Sequence, residues 1–190
     1  MLMRPEDYVA AAIRTAPTLK ADEHSFVLGG LGIAGEAIEA YETIQETVVD
    51  QLKVVKELGD VTWYIALICH VHNLKFEGLF VSNQFAQRNV SFVVFPGNKW
   101  KQLDKRGKSL LSSAKDVSEY VKKAVFHKHP VDIRVLRELL ERLAVRVQYV
   151  AAVIDVDIEE VLDKNIDKLK VRYPERFTTE GSMNKDENQE

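Results

Sequence analysis

Glu36 and Glu39 stand three residues apart in LGIAGEAIEAYETI (31–44), and Glu57 and Asp60 repeat that spacing in VVKELGDV (54–61). On a helix, residues three apart share a face. Two antiparallel helices joined by a short turn would bring the two pairs opposite each other. Four carboxylates at one level repel strongly unless a multivalent cation lies between them. An all-oxygen donor set without histidine or cysteine selects Mg2+ or Mn2+ over zinc. A carboxylate cage that leaves metal positions open to water and phosphate oxygens suits phosphoryl chemistry. In a chain with 29 acidic residues, acid pairs at this spacing also arise by chance on solvated faces. These two differ in their surroundings: Gly35 precedes Glu36, Gly59 lies between Glu57 and Asp60, and the apolar run VTWYIALI (61–68) follows at once.

Other chemistries are disfavoured by what is missing. A di-iron carboxylate bundle needs a Glu followed three residues later by His on two helices, and the chain has no such pair. It also has no glycine-rich phosphate loop ending in Lys-Ser/Thr. His70, His72, His127 and His129 read as structural or surface residues. The single cysteine, Cys69, sits in LICHV, which suits a buried, inert thiol in a reducing compartment. A formal net charge of -3 argues against a general nucleic-acid binder, which needs a basic face. The first fifteen residues carry Glu6 and Asp7 early and hold no long apolar stretch, unlike a signal peptide. No apolar run approaches the ~20 residues that span a bilayer, so no membrane association is expected and the expected location is the cytoplasm.

The elements that must position the acids are helical throughout. Pro5, Glu6 and Asp7 suit a first helical turn, continued to about residue 15. A second helix is expected over about 25–47, although Gly29, Gly30, Gly32 and Gly35 would each cost an isolated helix roughly 1 kcal/mol. They imply close helix packing or a place where backbone approaches a ligand, the alternative being a loop that delays the helix to Gly35. A third helix is expected over about 49–72. Residues 81–108 differ in character: VSFVVF (90–95) is β-prone, Pro96-Gly97-Asn98 signals a turn, and KWKQLDKRGK (99–108) is basic. They read as an irregular or β-hairpin connector with room for one short helix. Helical patterning resumes over about 109–126, 131–154 and 157–173, and the polar tail 178–190 is expected to be disordered.

The chain also repeats itself. LGIAGEAIEAYETI (31–44) aligns with LLSSAKDVSEYVKK (110–123, Leu31 on Leu111), and VVKELGDV (54–61) with VLRELLER (135–142), at offsets of 80 and 81 residues. A second carboxylate set then answers the first: Asp116, Glu119, Glu138 and Glu141. Two similar helical hairpins would pack as a pseudo-symmetric pair, a homodimer fused into one chain.

LGIAGEAIE followed by KELGDVTWYIA resembles the helix pair of MazG-like nucleoside triphosphate pyrophosphohydrolases. That family's metal motif, Glu-x-x-Glu and then Glu-x-x-Asp about twenty residues on, falls on Glu36, Glu39, Glu57 and Asp60. YVKKAVFHKHPVD and EEVLDKNIDKLKVRYPERF resemble the usual ending of a single domain of the family. The resemblance covers most of 25–80 and 109–177. It implies an all-α bundle of two MazG-like halves, with a first repeat over 1–80 carrying the metal site and a degenerate second repeat over 109–177. The first half lacks the Asn-x-x-Lys…Arg-Tyr-Pro ending, which the second keeps in Asn165, Lys168, Arg172, Tyr173 and Pro174. The second half has lost the glycine pattern, with Lys115 where Gly35 stands and Arg142 near the acids, so that basic side chains would neutralise it without metal.

The activity the resemblance implies is Mg2+-dependent hydrolysis of a (d)NTP to (d)NMP and pyrophosphate, with Mn2+ as a substitute ion. Glu36, Glu39, Glu57 and Asp60 would hold the metal, and Glu39 or Glu36 would take the proton of the attacking water. Asn165, Lys168 and Arg172 would grip phosphates, and Tyr64 and Tyr173 would line the substrate. Trp63 reads better as core than as a stacking platform for the base. The alternatives within the class are a dUTP or dCTP diphosphatase and a phosphoribosyl-ATP pyrophosphohydrolase; outside it, an inactive helical interaction module. The expected partner is the nucleotide alone, with a further homodimer left open.

Overall fold

In the computed structural model, residues 2–18, 22–81, 85–86 and 98–183 are described. They form seven α-helices, a 3-10 turn and no strand. The helices are α1 (Pro5–Ile13), α2 (Asp22–Gln45), α3 (Gln51–Val71), α4 (Lys99–Phe126), α5 (Ile133–Val153), α6 (Ile158–Arg172) and α7 (Thr179–Met183), with the 3-10 turn at Phe76–Leu79 after α3. The all-helical expectation is met. No helix among the described residues is long and apolar enough to cross a membrane.

α2 runs unbroken through its glycines. Their helical cost is offset by packing that no larger residue allows. A Cβ on Gly29 would lie 2.5 Å from Ile68 Cγ1, one on Gly30 2.9 Å from Val121, and one on Gly32 2.2 Å from the Tyr64 ring. The glycines thus close α2 onto α3 on one side and α4 on the other. Gly35 is the exception, since a Cβ there would meet nothing within 4 Å. α4 runs antiparallel to α2, with Lys128 paired to Glu23 (2.8 Å) at one end and Tyr41 bonded to Asp104 (2.8 Å) at the other. α5 packs on α4 and α3, and α1 and α6 lie together against α3.

α3 and α5 match feature for feature. Each spans 21 residues, and each is capped at its start by an Asp carboxylate that accepts from two backbone amides, Asp50 from Leu52 and Lys53, Asp132 from Arg134 and Val135. Each ends with a left-handed residue, Asn73 (φ 52°) and Asp155 (φ 60°). Each end closes with the same backbone bond, Leu74 N–H to Cys69 O (2.8 Å) and Val156 N–H to Ala151 O (3.0 Å). This is the Schellman closure, in which one αL residue lets an orphan carbonyl be satisfied. α2 and α4 match through their buried positions: Phe26, Gly30, Ile33, Ala37, Ala40 and Ile44 correspond to Leu103, Gly107, Leu110, Ala114, Val117 and Val121. Contacts correspond as well, with Gly30 against Val121 and Gly107 against Ile44.

The matched buried positions and caps, Gly30 with Gly107 and Asp50 with Asp132, lie at offsets of 77 and 82 residues, beside the 80 and 81 of the letter alignment. Two expectations need correction. α4 begins at Lys99, not near 109, because Gln102, Leu103 and Gly107 bury one face of the basic stretch. Beyond Thr178, residues 179–183 form the short helix α7, supported by Gly181 N–H donating to Thr178 Oγ1 (3.0 Å). The β-prone run 90–95, the Pro96-Gly97 turn and the final residues 184–190 lie outside the described residues.

Candidate metal centre

α2 and α3 bring Glu36, Glu39 and Glu57 together. One carboxylate oxygen from each lies within 4.8 Å of the other two. Glu36 and Glu39 reach this point from one face of α2, and Glu57 from the facing side of α3. Glu39 is the most exposed of the three, while Glu36 Oε2 is out of solvent contact. Three hard oxygen donors at this spacing fit a divalent cation such as Mg2+ or Mn2+, with coordination positions left over for water or a ligand. Gly35 lies one helical turn before Glu39 and keeps the space beside it clear of side chain.

Asp60 does not join them. Its carboxylate is held by the Lys168 ammonium and accepts a second hydrogen bond from Asn165 Nδ2 at 2.9 Å. The Lys168 and Asp60 side chains are only 19% and 16% exposed, so this ion pair is shielded from water and salt. The Asn165 amide is oriented from its other end: Tyr8 O–H donates to Asn165 Oδ1 at 2.6 Å, and the same hydroxyl shares a 3.2 Å hydrogen bond with Thr62. Gly59 permits the arrangement, because a Cβ there would lie 2.8 Å from Asn165 Cβ. The four expected metal ligands are thus three convergent glutamates and one aspartate that anchors the lysine of α6.

Tyr64 joins the two parts. Its ring lies on the α2 backbone at Gly32. Burial, and after it the negative charge of Glu36 and Asp60, with smaller contributions from Tyr173 and Glu39, pushes its hydroxyl up to about 12. It therefore remains protonated at neutral pH. Tyr173 is buried and packs at a tilt against Phe177, with ring centroids 5.5 Å apart. Its carbonyl accepts from Arg14 Nη1 (2.8 Å), which also reaches Glu175 O (2.9 Å), so α1 clamps the chain where α6 ends. Arg172 ends α6, partly buried. Trp63 belongs to the core: its indole N–H is shared between Thr15 Oγ1 (3.0 Å) and Ala12 O (3.2 Å). The Cys69 thiol is buried and pushed up to about 12, mainly by burial, which leaves it protonated and inert.

The second carboxylate set is arranged differently. Asp116 lies 3.7 Å from Lys115 and 3.9 Å from Arg142, Glu119 is paired with Lys122 (2.6 Å), and Glu141 with Arg137 (2.7 Å). At the offsets of 77 and 82 residues, Ser113 pairs with Glu36, Asp116 with Glu39, Leu139 with Glu57 and Arg142 with Asp60. Among the described residues, the only carboxylate group close enough to hold a metal is Glu36, Glu39 and Glu57.

Sequence patterning did not mark Tyr8, Arg14 or Thr62. Tyr8 reads as one more apolar position of a short helix, and its partner Asn165 lies 157 residues away. Comparison with known proteins finds no matching family model, no matching curated protein and no matching solved structure.

Proposed function

We propose that the protein is a Mg2+-dependent nucleoside triphosphate pyrophosphohydrolase, with Mn2+ able to substitute, converting a (d)NTP and water to (d)NMP and pyrophosphate. The observation that carries this reading is the meeting of Glu36, Glu39 and Glu57 beside a shielded lysine, Lys168, held by Asp60. A polyanionic substrate needs both features: carboxylates to hold the cation it travels with, and a fixed positive charge for its own oxygens. Glu36, Glu39 and Glu57 would hold the ion. Bound there, it would supply charge neutralisation of the phosphates and a water of lowered pKa.

The remaining work falls to the chain itself. Glu39, the carboxylate most open to solvent, takes the proton of the attacking water. Lys168 grips phosphate oxygens and Asp60 holds its ammonium in place. Asn165, with its amide fixed by Tyr8, sets the orientation of Asp60. Tyr64, kept protonated, donates to the substrate. Arg172 and Tyr173 lie at the end of the same helix as Lys168 and complete the phosphate side. The matched features of α2–α3 and α4–α5 support an internal duplication in which the second hairpin has given up its ligands.

The reading is tested by incubating the protein with Mg2+ and a panel of normal and modified NTPs and dNTPs, separating the products. Monophosphate and pyrophosphate from at least one substrate are expected, and Glu36→Gln abolishes them. Release of single orthophosphate, or no turnover across the panel, contradicts it.

A further inference from the structure

The outward face of α2 is apolar where a solvated helix would be charged. Opposite the buried line Phe26, Gly30, Ile33, Ala37, Ala40 and Ile44 run Leu28, Leu31, Gly35 and Ile38, at alternating steps of three and four residues. That spacing keeps them on one side of the helix. Leu31 is 68% exposed and Ile38 50%, and a Cβ on Gly35 would meet nothing within 4 Å. Single exposed apolar residues are ordinary on a protein surface, but a continuous line of them over about three helical turns marks a contact surface.

The matched hairpin shows what such a face carries when it meets water. At the offset of 77 residues the four positions on α4 are Lys105, Lys108, Ser112 and Lys115, all exposed. One hairpin therefore has a polar outer face and the other an apolar one over the same buried stripe. Packing of the core does not require the apolar residues, since α4 packs without them.

The order of the residues identifies what covers them. An isologous interface needs a patch that is complementary to itself under a two-fold rotation. Two copies of α2 set antiparallel, with the axis level with residue 33, meet that condition. Leu31 of each copy then stands over Gly35 of the other, a large side chain over a position that has none, and Leu28 stands opposite Ile38. One step further out the exposed His24 meets the exposed Glu42, so each end of the line closes on a polar pair able to hydrogen-bond. Glu39 flanks the line and falls level with Val27 of the other copy, not with an acid. A parallel pairing would instead set Leu31 on Leu31, leave a gap at Gly35 and bring Glu42 against Glu42. Other charges beside the face are paired within the chain: Glu23 with Lys128 (2.8 Å), Lys108 with Asp104 (2.8 Å) and Lys122 with Glu119 (2.6 Å).

We propose that α2 pairs antiparallel with α2 of a second copy of this chain through Leu28, Leu31, Gly35 and Ile38. A single helix-on-helix seam lies at the small end of specific interfaces, below about 1,200 Å² in total, so the dimer forms reversibly. It uses none of the metal ligands and is independent of the nucleotide reading.

Sedimentation velocity of the full-length protein over about 5–500 µM follows the equilibrium. A monomer–dimer transition within that range is expected, with amide NMR signals of residues 28–42 shifting as concentration rises. Leu31→Lys and Ile38→Lys place on α2 the residues that α4 carries at those positions, and each should weaken the dimer by about tenfold or more. Gly35→Leu separates a specific seam from a merely sticky surface. It adds apolar area, yet it should also weaken the dimer by about tenfold or more, because the new side chain meets Leu31 of the other copy. Adding Leu31→Ala to it exchanges the large and small positions and should restore dimerisation. A chain that stays monomeric across the range, a dimer indifferent to both lysines, or a Gly35→Leu variant that associates more tightly would overturn the proposal. Circular dichroism checks that the variants fold, and the concentration dependence of the unmodified protein decides the matter if they do not.

Discussion

The hairpin α2–α3 and the hairpin α4–α5 share caps, helix-end closures and glycine contacts, yet one gathers acids and the other disperses them. At the matched positions Glu36, Glu39, Glu57 and Asp60 face Ser113, Asp116, Leu139 and Arg142. The first hairpin leaves three carboxylates convergent. The second retains one, and sets Arg142 3.9 Å from it. A backbone can therefore be kept by its buried stripe and caps alone, while a handful of substitutions decides whether the cleft above it concentrates negative charge. Concentrated like charge is unfavourable without a counter-ion, so the acidic cleft is the one that calls for function.

The comparison is broken or sharpened most strongly by activity. Glu57→Gln is expected to lower turnover by on the order of a hundredfold or more. Asp116→Asn, its partner test in the second hairpin, should leave turnover unchanged. Equal losses from the two would erase the distinction between the halves.

Stability gives the next contrast. Lys168→Met leaves the Asp60 carboxylate largely shielded and without its cation, which should cost about 2–3 kcal/mol in denaturant unfolding, below the full penalty of a wholly buried pair. Arg142→Met removes a pair whose side chains are 53% and 38% exposed, and should cost well under about 1 kcal/mol.

The glycines of α2 separate packing from access. Gly32→Ala would drive a Cβ into the Tyr64 ring, and should destabilise by about 1–3 kcal/mol. Gly35→Ala meets nothing and removes a poor helix former, so it should stabilise by up to about 1 kcal/mol. Thermal melts of the two variants should move in opposite directions. Tyr8→Phe tests the contact that reaches from α1 to α6. Losing the hydroxyl that orients Asn165 should cost about 1 kcal/mol, read by the same unfolding assay.

The helices were legible in the sequence wherever apolar spacing was dense, as in α3 and α5. α4 was legible only in part, because its first turns carry many charges and bury just Gln102, Leu103 and Gly107. Glu36, Glu39 and Glu57 could be read from spacing alone, since helix geometry fixes which side chains share a face. Asp60 could not be placed that way: its spacing fits the set, but Lys168, 108 residues on, turns it aside. The likeness of the two hairpins was visible in the letters, but their Asp caps and αL closures match at other offsets, which residue similarity does not weigh. Tyr8 and Thr62 act through contacts made only once α1 and α6 meet on α3.

The central claim, that three glutamates hold one hard divalent ion, is tested most directly by calorimetric titration of Mn2+ into the protein without nucleotide. One site per chain is expected, lost in Glu36→Gln and in Glu57→Gln and unaffected by Asp116→Asn. No binding by the unmodified chain, or a site that survives both glutamate substitutions, would contradict the account.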